Sequence, residues 1–548
     1  MNRNILFFVS VLVIGLLSSF NSLQASAGQG ISYYKAGFPQ VAKPLLIAEI
    51  ASDTATRAET CFYLGNIYFG ENKVDSAEIC FKKGMIEKQP NVLNTIGLAM
   101  LKVKSNPKIA EQDIQNVLKL PASKKNINFI IAAAYAYLFN GKNDQASIYL
   151  EKARSIKSKS AAVAVLAGDI ELTKPNNVGK ACENYDLAIY YDEKCKEAYI
   201  KYARAYKTVN PNLAIDKLNV LKSKDPSFLL VDRELADIYY AVNDFDKAAK
   251  LYDNYLKSGN SNVQDLTKYA MTVFLNKDYA KSLEIAKLGL VKAPRNPAFN
   301  RLAMYDNVAL ENYDEAIKYA DLFFNKSENP DISYFDYTYY GQALRQTKKY
   351  DLAIEQFKNA LKFDSTQIGF WKDISDMYVE KNDYPNAISN YQIFIKSLSE
   401  DKKTSEVLIT LAKLYYNYGN AETTTDAAIK KNAFIKADSV FTKVAVLEPT
   451  GYRAILWRAR TNFALNPDNG SAKPYYEQTL LIVEPKVDVR YNPVIVECSR
   501  FLGFYYFLKK DYNQSKVYWN KILAIEPKND IALKAIEGID KTLKGNKK

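Results

Sequence analysis

The chain has 548 residues, 48% of them hydrophobic, with 74 Lys and Arg against 61 Asp and Glu, no His, and a formal charge of +13. The missing His removes Ser-His-Asp and Cys-His nucleophiles, HExxH zinc sites and the usual neutral-pH base. No GxxxxGK or GxGxxG phosphate loop occurs, and the positive charge forms no dense block before the Lys541–Lys548 tail, which argues against a nucleic-acid partner.

The N-terminus reads as an export signal spanning residues 1–27. Arg3 precedes an apolar run, Ile5–Leu17, of 13 residues, and Ala25-Ser26-Ala27 is a small-x-small cleavage site. That run is shorter than the ~20 residues a spanning helix needs. Cleavage would leave Gly28 first; an uncleaved anchor is the alternative. No Cys lies near the site to support a lipoprotein. Asn128–Phe139, twelve residues with two tyrosines, is too short to span, so no membrane span is expected after cleavage.

From there to the tail a small residue returns about every 34 positions. The series is Ala42, Ala77, Ala110, Ala146, Ala181, Ala214, Ala248, Ser282, Ala316, Ala353, Ala387, Ala437, Ala472 and Ser515. A second small residue stands twelve earlier in many units: Gly65, Ala134, Ala236, Ala270, Gly341, Ser375 and Gly503. Two small residues twelve apart, each within an apolar helical pattern, let two antiparallel helices cross closely. Pro90, Pro226, Pro294, Pro449, Pro485 and Pro527 then close units, because proline cannot continue a helix. A period of this length means a stack of units, none of which buries its apolar face alone.

The unit resembles the tetratricopeptide repeat (TPR), a helix-turn-helix. Trp371, Ile374, Ser375, Tyr378, Ala387, Tyr391 and Phe394 fall on its signature positions, as do Gly503, Tyr506, Ser515, Trp519 and Pro527. Met304 stands where a small residue belongs, and the register slips by one at Ile109–Ala110. The resemblance implies an all-α fold, a right-handed superhelical solenoid of about fourteen tandem TPR units from Gly28 to the tail. It also implies that the first helix of each unit lines an inner, concave face. Partner-binding candidates on that face are Arg301, Tyr305, Phe335, Thr338, Gln342, Arg345, Lys372 and Asp376. The family's carboxylate clamp is not expected: Asn66 fits one slot, but Phe62 occupies the place of a Lys.

Two intervals are longer. Ala387 to Ala437 gains its surplus in Asn420–Phe434, read as a turn followed by an extended second helix. Ala472 to Ser515 gains it in Val483–Pro493, where two prolines bracket a stretch expected to be extended. Each insertion is either a tolerated loop or part of a binding face. The lengthened intervals suggest a division into an N-terminal array at 28–400 and C-terminal units with insertions and a basic tail at 401–548.

Cys61, Cys80, Cys182, Cys195 and Cys498 form no CxxC pair, and without His a metal site is not expected. Cys61 and Cys80 would face each other within one unit, so a disulfide and buried free thiols both stay open. Carboxylates are plentiful, but nothing gathers two of them in a pocket, so neither an enzyme nor a cofactor is expected. The expected function is a protein–protein interaction scaffold or assembly factor that binds envelope proteins or peptides along the groove. The signal resembles a Gram-negative one, which puts the product in the periplasm or at the outer membrane. A periplasmic holdase for unfolded clients and a carbohydrate-binding accessory protein are the alternatives.

Overall fold

A computed structural model describes residues 28–545 apart from 53–56, 88–90, 258, 260 and 469. The expected signal at 1–27, Pro90 and residues 546–548 lie outside the described residues. Among those described there are 29 α-helices and no strand. They follow one another as fourteen pairs and a final helix, Asp530–Gly545. In each pair we call the first helix A and the second B; Arg57–Gly70 and Val74–Glu87 are one example.

The turn between A and B is built the same way many times. Asn72, Asn176, Asn243, Lys277, Glu311, Lys348, Asn382 and Lys510 each sit at a positive φ between 56° and 63°. In several of these turns the residue after it sends its N–H five residues back along A, as Asp244 does to the Tyr239 carbonyl at 2.9 Å and Asp511 to Tyr506 at 2.9 Å. This is a left-handed helix stop. The next helix starts at once where that residue is Asp. Asp244, Asp278, Asp383 and Asp511 accept from the N–H three residues on, at 3.0–3.2 Å.

The periodic small residues are where the helices cross. All fourteen, from Ala42 to Ser515, are buried. Where glycine precedes by twelve or thirteen, an aromatic side chain of B lies on its bare backbone. Phe81 fits between Gly65 and Gly97, Tyr185 on Gly168 and Trp519 on Gly503; a Cβ on Gly503 would stand 2.7 Å from the indole. Where serine replaces alanine it closes the crossing with a hydrogen bond to its counterpart twelve residues away. Ser282 donates to the Ala270 carbonyl at 3.2 Å, Ser375 to Ala387 at 2.8 Å and Ser515 to Gly503 at 2.7 Å. A buried hydroxyl is thereby satisfied without widening the contact.

Asn420–Phe434 behaves as expected: Asp426 caps a 21-residue B helix, Ala427–Leu447. Val483–Pro493 does not. It forms two 3-10 turns, Glu484–Lys486 and Val489–Tyr491, and Pro493 sits in the first turn of the helix Asn492–Leu508. Proline's fixed φ suits a helix start and its missing N–H is not needed there. The surplus therefore became turns and a longer A helix. Pro226, Pro294, Pro449 and Pro527 each follow a helix C-cap by one residue.

All five cysteines are free thiols, with Cys61, Cys182 and Cys498 buried. The chain divides into two compact units, one up to Asp306 and one from Asn307.

Candidate partner-binding face

In the first unit the exposed stripe of the A helices has been turned into a ladder of charge. The residue just after the small one on one A helix meets the residue two before the small one on the next. Asp169, after Gly168, accepts from Lys201, two before Ala203. Arg204, after Ala203, forks onto Glu234, two before Ala236, at 2.9 and 2.7 Å. Asp237, after Ala236, accepts from Lys268, two before Ala270, at 2.7 Å. Arg233 extends the ladder to Asp265 at 2.6 Å, and Asp265 also takes the Tyr255 hydroxyl at 2.8 Å. Glu234 and Asp265 are buried. Burial pulls the Lys201 ammonium down, but Asp169 and Glu197 outweigh it and hold its pKa well above the usual value. Arg233 is held up in the same way against burial by Asp265 and Glu234. Charges this closely matched present no net sign to a ligand.

The chain's own first pair lies on part of this ladder. Gly37, at φ 84°, offers its carbonyl to Arg204 at 2.7 Å across 167 residues of sequence. A Cβ there would stand 2.9 Å from that guanidinium, so glycine is required twice over. Phe38, 2% exposed, has Arg204 4.8 Å and Arg233 5.8 Å from its ring centre. Phe228 meets Phe38 edge-on at 6.1 Å and stacks with Tyr33 at 6.3 Å. Tyr34 packs 5.1 Å from Tyr63, and burial pushes its phenol up to about 12.

The residues singled out in the sequence fare differently. Arg301 and Tyr305 belong to the first unit, on Pro297–Ala309. Tyr305 is only 8% exposed and packs 5.9 Å from Phe274, which leaves little of it for a partner. The other six lie in the second unit. Gln342 and Arg345 line a shallow cavity of ≈ 390 Å³ with Gln346, Glu311, Phe370 and Asp373. Arg345 reaches Asp373 at 3.8 Å and Glu380 at 3.2 Å. Burial raises the Asp373 carboxyl, whereas Glu380 is lowered by the Tyr350 hydroxyl and then by Arg345. Phe335 is 51% exposed and stacked 4.1 Å from Tyr334, while Thr338 spends its hydroxyl on the Tyr334 carbonyl at 2.9 Å. Lys372 and Asp376 pair with each other at 3.3 Å. Neither Phe335, Thr338, Lys372 nor Asp376 joins the cavity.

The richer surface of the second unit lies further on and was missed. By the same register, the outward stripes of Ser405–Asn420, Tyr452–Leu465 and Asn492–Leu508 carry Lys413, Tyr416, Arg460, Phe463, Arg500, Phe504 and Phe507. Lys413 and Arg460 stand 5.2 and 4.6 Å from the Trp457 ring, and Tyr416 meets it edge-on at 5.2 Å. Arg460 forks onto Glu497 at 2.7 and 2.6 Å. Phe463, Phe504 and Phe507 remain 44%, 48% and 40% exposed, and Arg500 is exposed beside them. Counting one and four residues on from each small residue, and three residues back for Arg500, would have found these positions. Among the described residues no acidic or cysteine cluster could hold a metal ion. None of the described helices is long and apolar enough to cross a membrane.

Helix pairs crossing at small residues twelve apart, stopped by a left-handed turn and repeated in tandem, define a helical-repeat protein. Tetratricopeptide-repeat family models match residues 233–297 and 337–367, so the chain carries tetratricopeptide repeats in both of its compact units. It is similar to a TPR repeat-containing protein of Methanocaldococcus jannaschii, 25% identical over 374 residues, which cover 66% of this chain and 59% of the relative. Among solved structures it is similar to the C-terminal part of a TPR repeat-containing protein from Cytophaga hutchinsonii. That match is 28% identical with a TM-score of 0.39, covering 49% of this chain and 99% of the other. A tetratricopeptide repeat protein from Parabacteroides merdae is 16% identical with a TM-score of 0.31, covering 46% and 98%. Repeats of this kind make a protein-interaction scaffold.

Proposed function

We propose that the protein is a non-catalytic scaffold or assembly factor of the cell envelope, exported on residues 1–27 to the periplasm or the outer membrane. It grips partner proteins on the A-helix face of its second unit. The observation that carries this reading is the half-exposed set Phe463, Phe504 and Phe507 beside Arg500. Aromatic and arginine side chains join large burial to a polar handle, and dominate the energy of protein contacts. The matched charges of the first unit supply no comparable anchor.

The test is crosslinking of the tagged chain in its own host, followed by purification and mass spectrometry. The control is a variant carrying Phe463→Ala, Arg500→Ala and Phe504→Ala. One or two abundant envelope proteins, captured at least about ten-fold less by the variant, are expected, since the removed anchors together exceed ~1.4 kcal/mol. Equal capture by both chains overturns the site. Many unrelated clients would mean a holdase, and binding of soluble oligosaccharide without a protein partner would mean a glycan-binding accessory. Fractionation of the same cells checks export: a chain retained in the cytoplasm at full length sinks the envelope reading.

A further inference from the structure

The first helical pair, Gln29–Lys35 and Pro39–Ser52, makes two separate sets of contacts. One is the ordinary contact with the next pair, including Lys43 on Glu71 at 2.7 Å and Tyr34 against Tyr63. The other is far away in sequence, where Tyr33, Gly37 and Phe38 cover Arg204, Phe228 and Arg233. The chemistry of that second contact is unlike the helix crossings. The crossing seams are built mainly from alanine, glycine, serine or a packed aromatic, with Met304 at one of them; here the covered surface is ionic.

More telling, the ions are complete without the pair. Arg204 has Glu234, Arg233 has Asp265 and Lys201 has Asp169, all from neighbouring repeats. The pair contributes one carbonyl and a few rings. Removing a partner from a buried charge is costly because it leaves the charge orphaned. Lifting this pair leaves none orphaned, and lets water reach charges that are already matched. The contact is thus made so that it can open while the repeats beneath it stay folded.

We propose that the first pair is a latch: an intramolecular ligand that occupies the A-helix face of the first unit and closes it to other partners. Released, that face presents two guanidiniums beside Phe228, with Lys196 4.3 Å from the same ring. It then takes a segment that offers an aromatic ring next to a free backbone carbonyl, which is what Gly37 and Phe38 offer from within. The latch rests on the first unit alone and stands or falls independently of the partner face of the second.

Hydrogen exchange on the intact chain tests it, because Gln29–Lys35 has 7 residues and a helix that short does not persist undocked. Phe38→Ala and Arg204→Ala weaken the contact from its two sides. Expected in both is at least ten-fold faster exchange of residues 29–52, with Ile127–Leu138 and Ala161–Leu172 unchanged. A labelled peptide of residues 31–43 should then bind the Phe38→Ala chain at least ten-fold more tightly than the wild type, and the doubly substituted chain no better than the wild type. Exchange that quickens throughout the first unit would make the pair an ordinary part of the core. Unchanged exchange, or peptide binding equal in wild type and Phe38→Ala, would likewise overturn the latch.

Discussion

The two units use one repeat and treat its A-helix face in opposite ways. In the first, Asp169, Arg204, Asp237 and their partners match charge for charge, and Tyr33, Gly37 and Phe38 cover part of the ladder. In the second, Phe504 holds the corresponding position after Gly503, with Phe507 and Arg500 about one turn to either side, and much of each side chain is in water. The helix crossings beneath are the same in both: Phe81 on Gly65 in one, Trp519 on Gly503 in the other. Stacking is therefore fixed by one stripe of each helix and the fate of the surface by another. A repeat can change its surface role without touching its core.

The largest effect that could break this comparison comes from removing a matched charge in each unit. Glu234→Ala leaves the partly exposed Arg204 without its carboxylate partner and Arg233 with Asp265 alone, and should cost about 3 kcal/mol. Glu406→Ala removes the partner of Arg453 from an exposed pair at 2.9 Å, and should stay within ~0.5 kcal/mol. Denaturant unfolding of the two variants reads the contrast; equal costs would mean that the ladder of the first unit is as solvated as the exposed pair of the second.

Next in size is Asp306, the last residue of the first unit, which is fully buried with no hydrogen-bond partner for either carboxyl oxygen. The nearby Ser282 hydroxyl favours the ionised form, but it gives its proton to Ala270. Burial therefore wins and pushes the carboxyl up to about 7. The folded chain holds this proton more tightly than the unfolded one, so the group's contribution to stability falls as pH rises from about 4 to about 7. Asp306→Asn should raise the melting temperature at pH 8, by the equivalent of about 2–4 kcal/mol at most, with the gain shrinking at pH 5. A gain independent of pH would show that the carboxyl is ionised and solvated throughout.

The smallest effect sharpens what the units share. Gly65→Ala and Gly503→Ala each push a methyl group into an aromatic ring, and each should cost about 1–3 kcal/mol. Similar costs in urea melts support one common crossing; a large difference would mean that the seams are not equivalent.

Much of this was legible in the sequence because the repeat is local. The fourteen small residues, the stops before Pro226 and Pro294, and the lengthened helix after Thr423–Thr425 follow from spacing, and spacing is visible. The binding face was harder. Phe335 and Arg345 lie on the outward stripe of their A helix, but Tyr305, on the same stripe, is held in the core by Phe274. Which stripe positions stay open depends on how far each A helix leans on the next, and no single unit encodes that. The stretch Val483–Pro493 was misread because two prolines suit a 3-10 turn and a helix start as well as an extended strand. The covering of the ladder was illegible for a geometric reason. Gly37 meets Arg204 only after the curvature of four intervening repeats has accumulated.

That same separation divides the time course of folding. Helix pairs meet partners a few dozen residues away and can zip from neighbour to neighbour as they emerge. The bond from Arg204 to Gly37 must wait until the chain has been made at least as far as Arg204. Closing it confines a loop of 167 residues, so it rewards the chain only after the intervening repeats have shortened the search. The first helical pair can thus dock on its neighbour early, but Tyr33 and Phe38 travel without their distant cover until the repeats that carry Arg204 and Phe228 are in place.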